Sequence, residues 1–327
     1  MSIQKIARLA GVSVATVSRV INNLGSVKPQ NRERVLNAIK ESNYQPNLLA
    51  RQLRTARSNM LLVMVSNIAN PFCADVVKGI EAEAERNGYR ILLCNSGSDT
   101  ARSQSSLRLL SGKMVDGVIT MDALAALPEL TTLIGDSPWV QCAEYDEASA
   151  VSSVGIDDHQ ASRFVAGEFT DRGRQHLAMI NHDLTYKYAK QREQGYREVL
   201  AERQLAAPAV AYASELSYQA GKEAMASLLK QSPRPDAVFA VSDTLAAGAI
   251  RALDEAGLRV PQDVAVMGFD GTELGHMTSP PLSTIEQPSQ EIGHEAVSLL
   301  LKKINDPLSP AQKTTLQWRY VARGSFA

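Results

Sequence analysis

Six side chains near the N-terminus, Val14, Ala15, Thr16, Ser18, Arg19 and Asn22, fall on one side of a helical repeat. Their types suit contact with duplex DNA. Arg19 offers two parallel N–H donors that match O6 and N7 of guanine. Val14 and Ala15 are short and apolar, fit for thymine methyls and close approach, while Thr16 and Ser18 suit phosphate oxygens. The opposite face carries Val17, Val20 and Ile21, and Ser13 stands where an N-cap is expected. Ahead of it, Ile3, Ile6, Ala7 and Ala10 share one face of a first helix that Gly11 should stop, with Val12 as a buried pivot. Two short helices joined by a glycine turn predict a helix-turn-helix, which lays its second helix in the major groove.

A second set of reactive types follows apolar runs further along. Asp157, Asp243 and Asp270 each sit at the end of a predicted strand, where a carboxylate can accept from ligand hydroxyls or cap the next helix. Phe72, in Asn70-Pro71-Phe72, could stack on a sugar or base ring or staple its own helix. Arg192 could donate a forked pair of bonds to hydroxyls or carbonyls, or be an ordinary exposed helical charge.

The elements that must position these groups alternate. Apolar runs of strand length occur at 61–65, 91–94, 115–121, 139–142, 151–156, 177–180, 237–241 and 264–268. Helical patterns lie between them, at 72–87 (ended by Gly88), around 107–110, and at 159–171, 192–203, 218–229 and 244–256. Repeated βα units predict parallel sheets covered on both faces, and ligands favour the carboxyl ends of such strands. Before them, Lys28-Pro29 opens a third helix with Val35, Leu36 and Ile39 as its stripe, ended by Tyr44 and Pro46.

Charge divides the chain in the same way. Up to Arg57 ten basic residues face only Glu33 and Glu41, a net of +8; the whole chain of 327 residues is −1, which leaves −9 on the remainder. A basic head on an acidic body fits a head that meets phosphate and a body that does not. Cys73, Cys94 and Cys142 are odd in number and widely spaced, as are the five histidines, so neither a disulfide framework nor a metal site is expected. With no apolar leader before the first helix and no run long enough to cross a bilayer, a cytoplasmic location is expected.

The segments Ile6-Ala7, Ala10-Gly11-Val12-Ser13 and Thr16 to Asn22, then Tyr44-Gln45-Pro46-Asn47, Ala50-Arg51, Leu53 and Gln287-Pro288, resemble the LacI/GalR family of bacterial transcription regulators. The Val14-Ala15 pair is similar to the galactose-repressor branch. Asn70-Pro71-Phe72 and the stretch from Pro280 to Pro288 are also similar to the cytidine repressor. The resemblance implies a small all-α helix-turn-helix head (1–45), a hinge helix and linker (46–59), and an α/β two-lobed periplasmic-binding-protein-like body (60–327) built on two parallel doubly wound sheets. Lobe one would take about 60–157 and 289–318, and lobe two about 158–288 and 319–327.

It further implies that Asn47, Ala50, Arg51, Leu53 and Arg54 reach DNA, with Leu53 as an apolar wedge in the minor groove. Arg192 opens Arg192-Glu193-Gln194-Gly195-Tyr196, similar to the family's effector-binding motif, and Asp270 stands at a family ligand position. Leu216 occupies a place where relatives often carry an aromatic over the ligand, and Cys73 replaces a bulky aromatic; both blur the effector's identity.

The expected function is therefore a ligand-responsive repressor of a catabolic operon, a homodimer on a near-palindromic operator, with no leucine heptad tail for tetramers. A sugar or sugar derivative is the first expected effector and a nucleoside the second. A solute-binding protein without regulatory role is the remaining binding alternative. No dinucleotide, phosphate-loop or metalloprotease motif occurs, so neither enzyme nor cofactor is expected.

Overall fold

The computed structural model describes residues 2–21, 25, 27–43, 57–97, 99–122 and 128–326. It divides into two compact units, Met1–Ser58 and Asn59–Ala327.

The first unit holds three helices, α1 (Ile3–Ala10), α2 (Val14–Ile21) and α3 (Pro29–Glu41). Their buried faces, Ile6, Ala7, Ala10, Val17, Val20, Val35 and Ala38, make a core of its own. Gly11 ends α1 at φ 62°, a left-handed conformation open to glycine at little cost. Ser13 takes the N-cap place, its hydroxyl accepting from the Thr16 N–H at 3.2 Å. Two expectations are corrected. Val12 is half-buried and packs on the rim of that core. Leu36 is 51% exposed, because Val35, Ala38 and Ile39 already fill the inner face of α3.

The second unit is built on two six-stranded sheets. The first runs in the order β2-β1-β3-β4-β5-β11, with β1 Met60–Val65, β2 Arg90–Asn95, β3 Gly117–Met121, β4 Trp139–Cys142, β5 Ser152–Ile156 and β11 Lys313–Leu316. The second runs β7-β6-β8-β9-β10-β12, with β6 Leu177–Asn181, β7 Ala209–Tyr212, β8 Ala237–Ala240, β9 Ala265–Asp270, β10 Ser283–Glu286 and β12 Arg319–Val321. Central strands such as Leu61 to Val65 are buried on both faces, which explains why they read as unbroken apolar runs. The first sheet is parallel throughout. The second is not: β12 pairs antiparallel with β10, because the chain returns directly from β11 without a crossover helix.

Helices α4 (Pro71–Arg86), α5 (Thr100–Ser111), α6 (Pro128–Ile134) and α12 (Ser289–Asn305) accompany the first sheet. Helices α7 (Asp158–Asp171), α8 (Lys187–Glu202), α9 (Tyr218–Leu228), α10 (Asp243–Glu255) and the short α11 (Leu274–Met277) accompany the second. The chain passes between sheets three times: after β5, after β10 and between β11 and β12. Each lobe has one pair of helices crossing at facing glycines. A Cβ on Gly79 of α4 would fall on the Gln290 carbonyl of α12, and one on Gly248 of α10 on the Tyr218 carbonyl of α9.

Candidate functional site

In the first unit, α2 turns Ala15, Arg19 and Val14 (41% exposed) outward, while Val17 and Val20 are buried beneath. Thr16 and Ser18 are half-buried at the edges of that face, and Thr16 Oγ1 lies 3.0 Å from the Ser13 hydroxyl. The outward face therefore combines a forked cation with short apolar groups, the mix that reads base edges. Asn22, Asn47, Ala50, Arg51, Leu53 and Arg54 lie outside the described residues.

In the second unit a cavity of 540 Å³ lies where the carboxyl ends of the two sheets face each other. Ser66 and Asn67 after β1, Asn95 closing β2, and Ala143 and Glu144 after β4 line one side. His182 and Asp183 after β6, Ser214 to Leu216 after β7, Val241 after β8 and Asp270 closing β9 line the other. Strand ends supply the polar groups because each parallel strand delivers its last residue to the same rim.

Four of the six expected effector residues reach this cavity: Phe72, Arg192, Leu216 and Asp270. Asp270 sits at φ 114°, a strained value for a non-glycine residue, and its Oδ1 accepts from Gln287 Nε2 at 2.9 Å. Burial pushes its carboxyl well above the usual range; Arg192 opposes this and Asp243 adds to it. Arg192 is buried in the cavity wall. Its Nε and Nη2 donate to Asp158 Oδ1 at 2.9 and 2.7 Å, its Nη1 donates to the Val241 carbonyl at 2.7 Å, and its guanidinium lies 3.4 Å from the Phe269 ring centroid.

The other two are elsewhere. Asp157 is exposed and caps α7, accepting from the Gln160 N–H at 2.8 Å. The residue that lines the cavity is its neighbour Asp158, one position further, where the side chain turns inward. Asp243 is fully buried outside the lining. Its carboxylate accepts from the Thr272 N–H (2.7 Å), the Thr272 hydroxyl (3.0 Å) and the Thr284 hydroxyl (2.6 Å), so it ties β9 and β10 to the start of α10.

Sequence reasoning missed Asp158, Glu144 and an aromatic group formed by His182, Tyr186 and Tyr188. The Tyr188 hydroxyl lies 2.8 Å from His182 Nδ1, and the three rings stand 5.0 to 6.2 Å apart. Burial holds His182 below its ordinary value, against the pull of Asp183, and so favours the neutral ring. The tyrosine pair Tyr186-x-Tyr188 at the start of α8, just ahead of Arg192, was the available signal. Glu144 had none, since its partners are more than forty residues away.

Comparison with known proteins meets both units. Residues 2–47 match the description "Bacterial regulatory proteins, lacI family", and residues 166–326 match "Periplasmic binding protein-like domain". The ribose operon repressor of Haemophilus influenzae is 35% identical over 99% of this chain and 98% of its own. The chain belongs to the lacI family of bacterial regulatory proteins. The transcriptional repressor PurR of Vibrio cholerae is 33% identical over 93% of this chain and 92% of its own. A lac repressor dimer solved on its operator superposes with a TM-score of 0.89 at 26% identity, covering 100% of this chain and 99% of that one. This lacI-family chain is a ligand-responsive, DNA-binding transcriptional repressor. Among its described residues no helix is long and apolar enough to cross a membrane.

Proposed function

We propose that the cavity of the second unit takes a sugar or sugar derivative and that the repressor controls genes for its catabolism. The observation that carries this reading is the pairing of Asp270 and Arg192 on one wall with Asn67 and Asn95 on the other, in a 540 Å³ cavity. That volume suits a mono- or disaccharide, and acceptors and donors on opposite walls suit vicinal hydroxyls. The ribose operon repressor as a relative points the same way. Phe72, Tyr186 and His182 favour a second reading, a nucleoside or purine stacked on rings, which the likeness to PurR also supports.

In this reading the protein acts by binding alone, in the cytoplasm where its DNA lies, as a homodimer that sets two α2 helices in the half-sites of a near-palindromic operator. Residues 46–59 serve as the hinge, with Asn47, Ala50, Arg51 and Arg54 beside the backbone and Leu53 as the minor-groove wedge. Effector closure of the cleft changes the spacing of the two hinges, and a coupling of about 1–3 kcal/mol would alter operator affinity about 5- to 150-fold. The test is thermal unfolding of the purified protein against sugars, nucleosides and purines. A ligand at about 100 times its Kd adds about 2.7 kcal/mol, a readily visible shift. Stabilisation by purines or nucleosides alone would replace the sugar reading.

A further inference from the structure

The cations in and behind the cavity wall are already paired with a carboxylate of the protein itself. Among the described lining residues, Arg192 is the one side chain that is always positive, and three of its N–H groups are held by Asp158 and the Val241 carbonyl. The second oxygen of Asp158 takes Lys187 Nζ at 2.9 Å. All three charged groups are enclosed, with side-chain exposures of 5% for Arg192, 2% for Asp158 and 10% for Lys187. Lys187 also faces the Glu144 carboxyl and lies 3.8 Å from the Tyr145 ring centroid. Asp183 and Glu215 line the same space, and burial favours the neutral ring of His182. An anionic ligand would leave water for a cavity where the donors of its opposite charges are already held and like charges are part of the lining, an arrangement that suppresses wrong partners.

We propose that Asp158 is a charge filter: by pairing with Arg192 and Lys187 and occupying their N–H donors in place, it restricts the effector to uncharged molecules and excludes phosphorylated forms of the same skeleton. This rests on the cavity being the effector site, and it holds for a sugar or a nucleoside alike.

The full chain is titrated calorimetrically with ribose, glucose and adenosine, each beside its terminal phosphate ester, and with inorganic phosphate against chloride of matched ionic strength. The expected result is that any skeleton that binds does so at least about tenfold more weakly as its phosphate, and that phosphate alone gives no saturable heat. Asp158→Asn, equal in size but uncharged, should gain saturable phosphate binding by releasing both cations. A wild-type protein that binds a phosphate ester as well as its parent, or inorganic phosphate saturably, overturns the filter. So does an Asp158→Asn protein that is folded by circular dichroism and gains no phosphate binding. Should that variant fail to fold, the wild-type titrations decide. A hit with adenosine and not its phosphate would sink the sugar reading and keep the filter, whereas a hit with a sugar phosphate would do the reverse.

Discussion

The Glu144 carboxylate accepts the backbone N–H of Lys187 at 2.6 Å and that of Tyr188 at 3.4 Å, and so joins the first lobe to the leading turn of α8 in the second. Gln191 to Glu147 (2.6 Å) and the Tyr186 hydroxyl to Asp122 (3.4 Å) bridge the lobes beside it. A carboxylate at a helix N-terminus meets unpaired N–H groups and the positive end of the dipole. This segment, Glu144 to Glu147, is the cleft's latch.

The latch should respond to pH. Burial pushes the Glu144 carboxyl up to about 7, against the opposing pull of the two N–H groups and Lys187. An acid whose value is higher in the folded form holds its proton more tightly there. Its contribution therefore favours that form at low pH and is lost as pH rises from 4.5 through about 7. Raising pH from about 5 to about 8 should lower the Tm of the wild type relative to Glu144→Gln. Parallel Tm curves for the two proteins would contradict this.

Asp243 and Asp270 lie in neighbouring positions but should behave differently on substitution. Asp243→Ala strands the Thr272 N–H and two hydroxyls in the core, which should cost about 1–3 kcal/mol in urea unfolding. Asp270→Asn keeps the side-chain shape and removes a carboxyl that burial already disfavours as an anion, so stability should hold or rise while effector affinity falls. Equal stability losses in both variants would deny Asp270 its ligand role.

Gly248→Ala should destabilise by about 1–3 kcal/mol, since the new methyl meets the Tyr218 carbonyl and the Lys222 nitrogen at a backbone-to-backbone crossing. Gly167→Ala in α7 is the control. Nothing lies within 4 Å of its Cβ position, and loss of glycine's unfolded-state freedom should leave it neutral or slightly stabilised. Denaturant midpoints of the two variants decide the matter.

Arg19→Ala should weaken operator binding by about 1–3 kcal/mol and relax preference at one base position. A salt titration of binding separates the alternatives. An equal loss on every DNA sequence, with a shallower salt slope, would make Arg19 a phosphate contact instead.

The head was readable because its signals are local. Gly11, Ser13 and the apolar spacing of Val17 and Val20 act within a few residues, and the structure places Gly11 at positive φ and Ser13 at the cap. The alternating strands and helices of the body were readable for the same reason, as buried parallel strands must be apolar on both faces. Arg192 could be named because its motif lies along one helix.

What tertiary structure alone decided are the contacts between distant segments. Asp157 and Asp158 are chemically identical in sequence, and only their places at the start of α7 make one a cap and the other the partner of Arg192, thirty-four residues on. Asp243 became a core tie instead of a ligand group because Thr272, from the loop after β9, and Thr284, from β10, both reach it. Glu144 gained its role from a helix in the opposite lobe. Local sequence sets which way a residue prefers to turn. Which groups stand within hydrogen-bond reach of it depends on how the sheets stack their ends, a property of the whole chain.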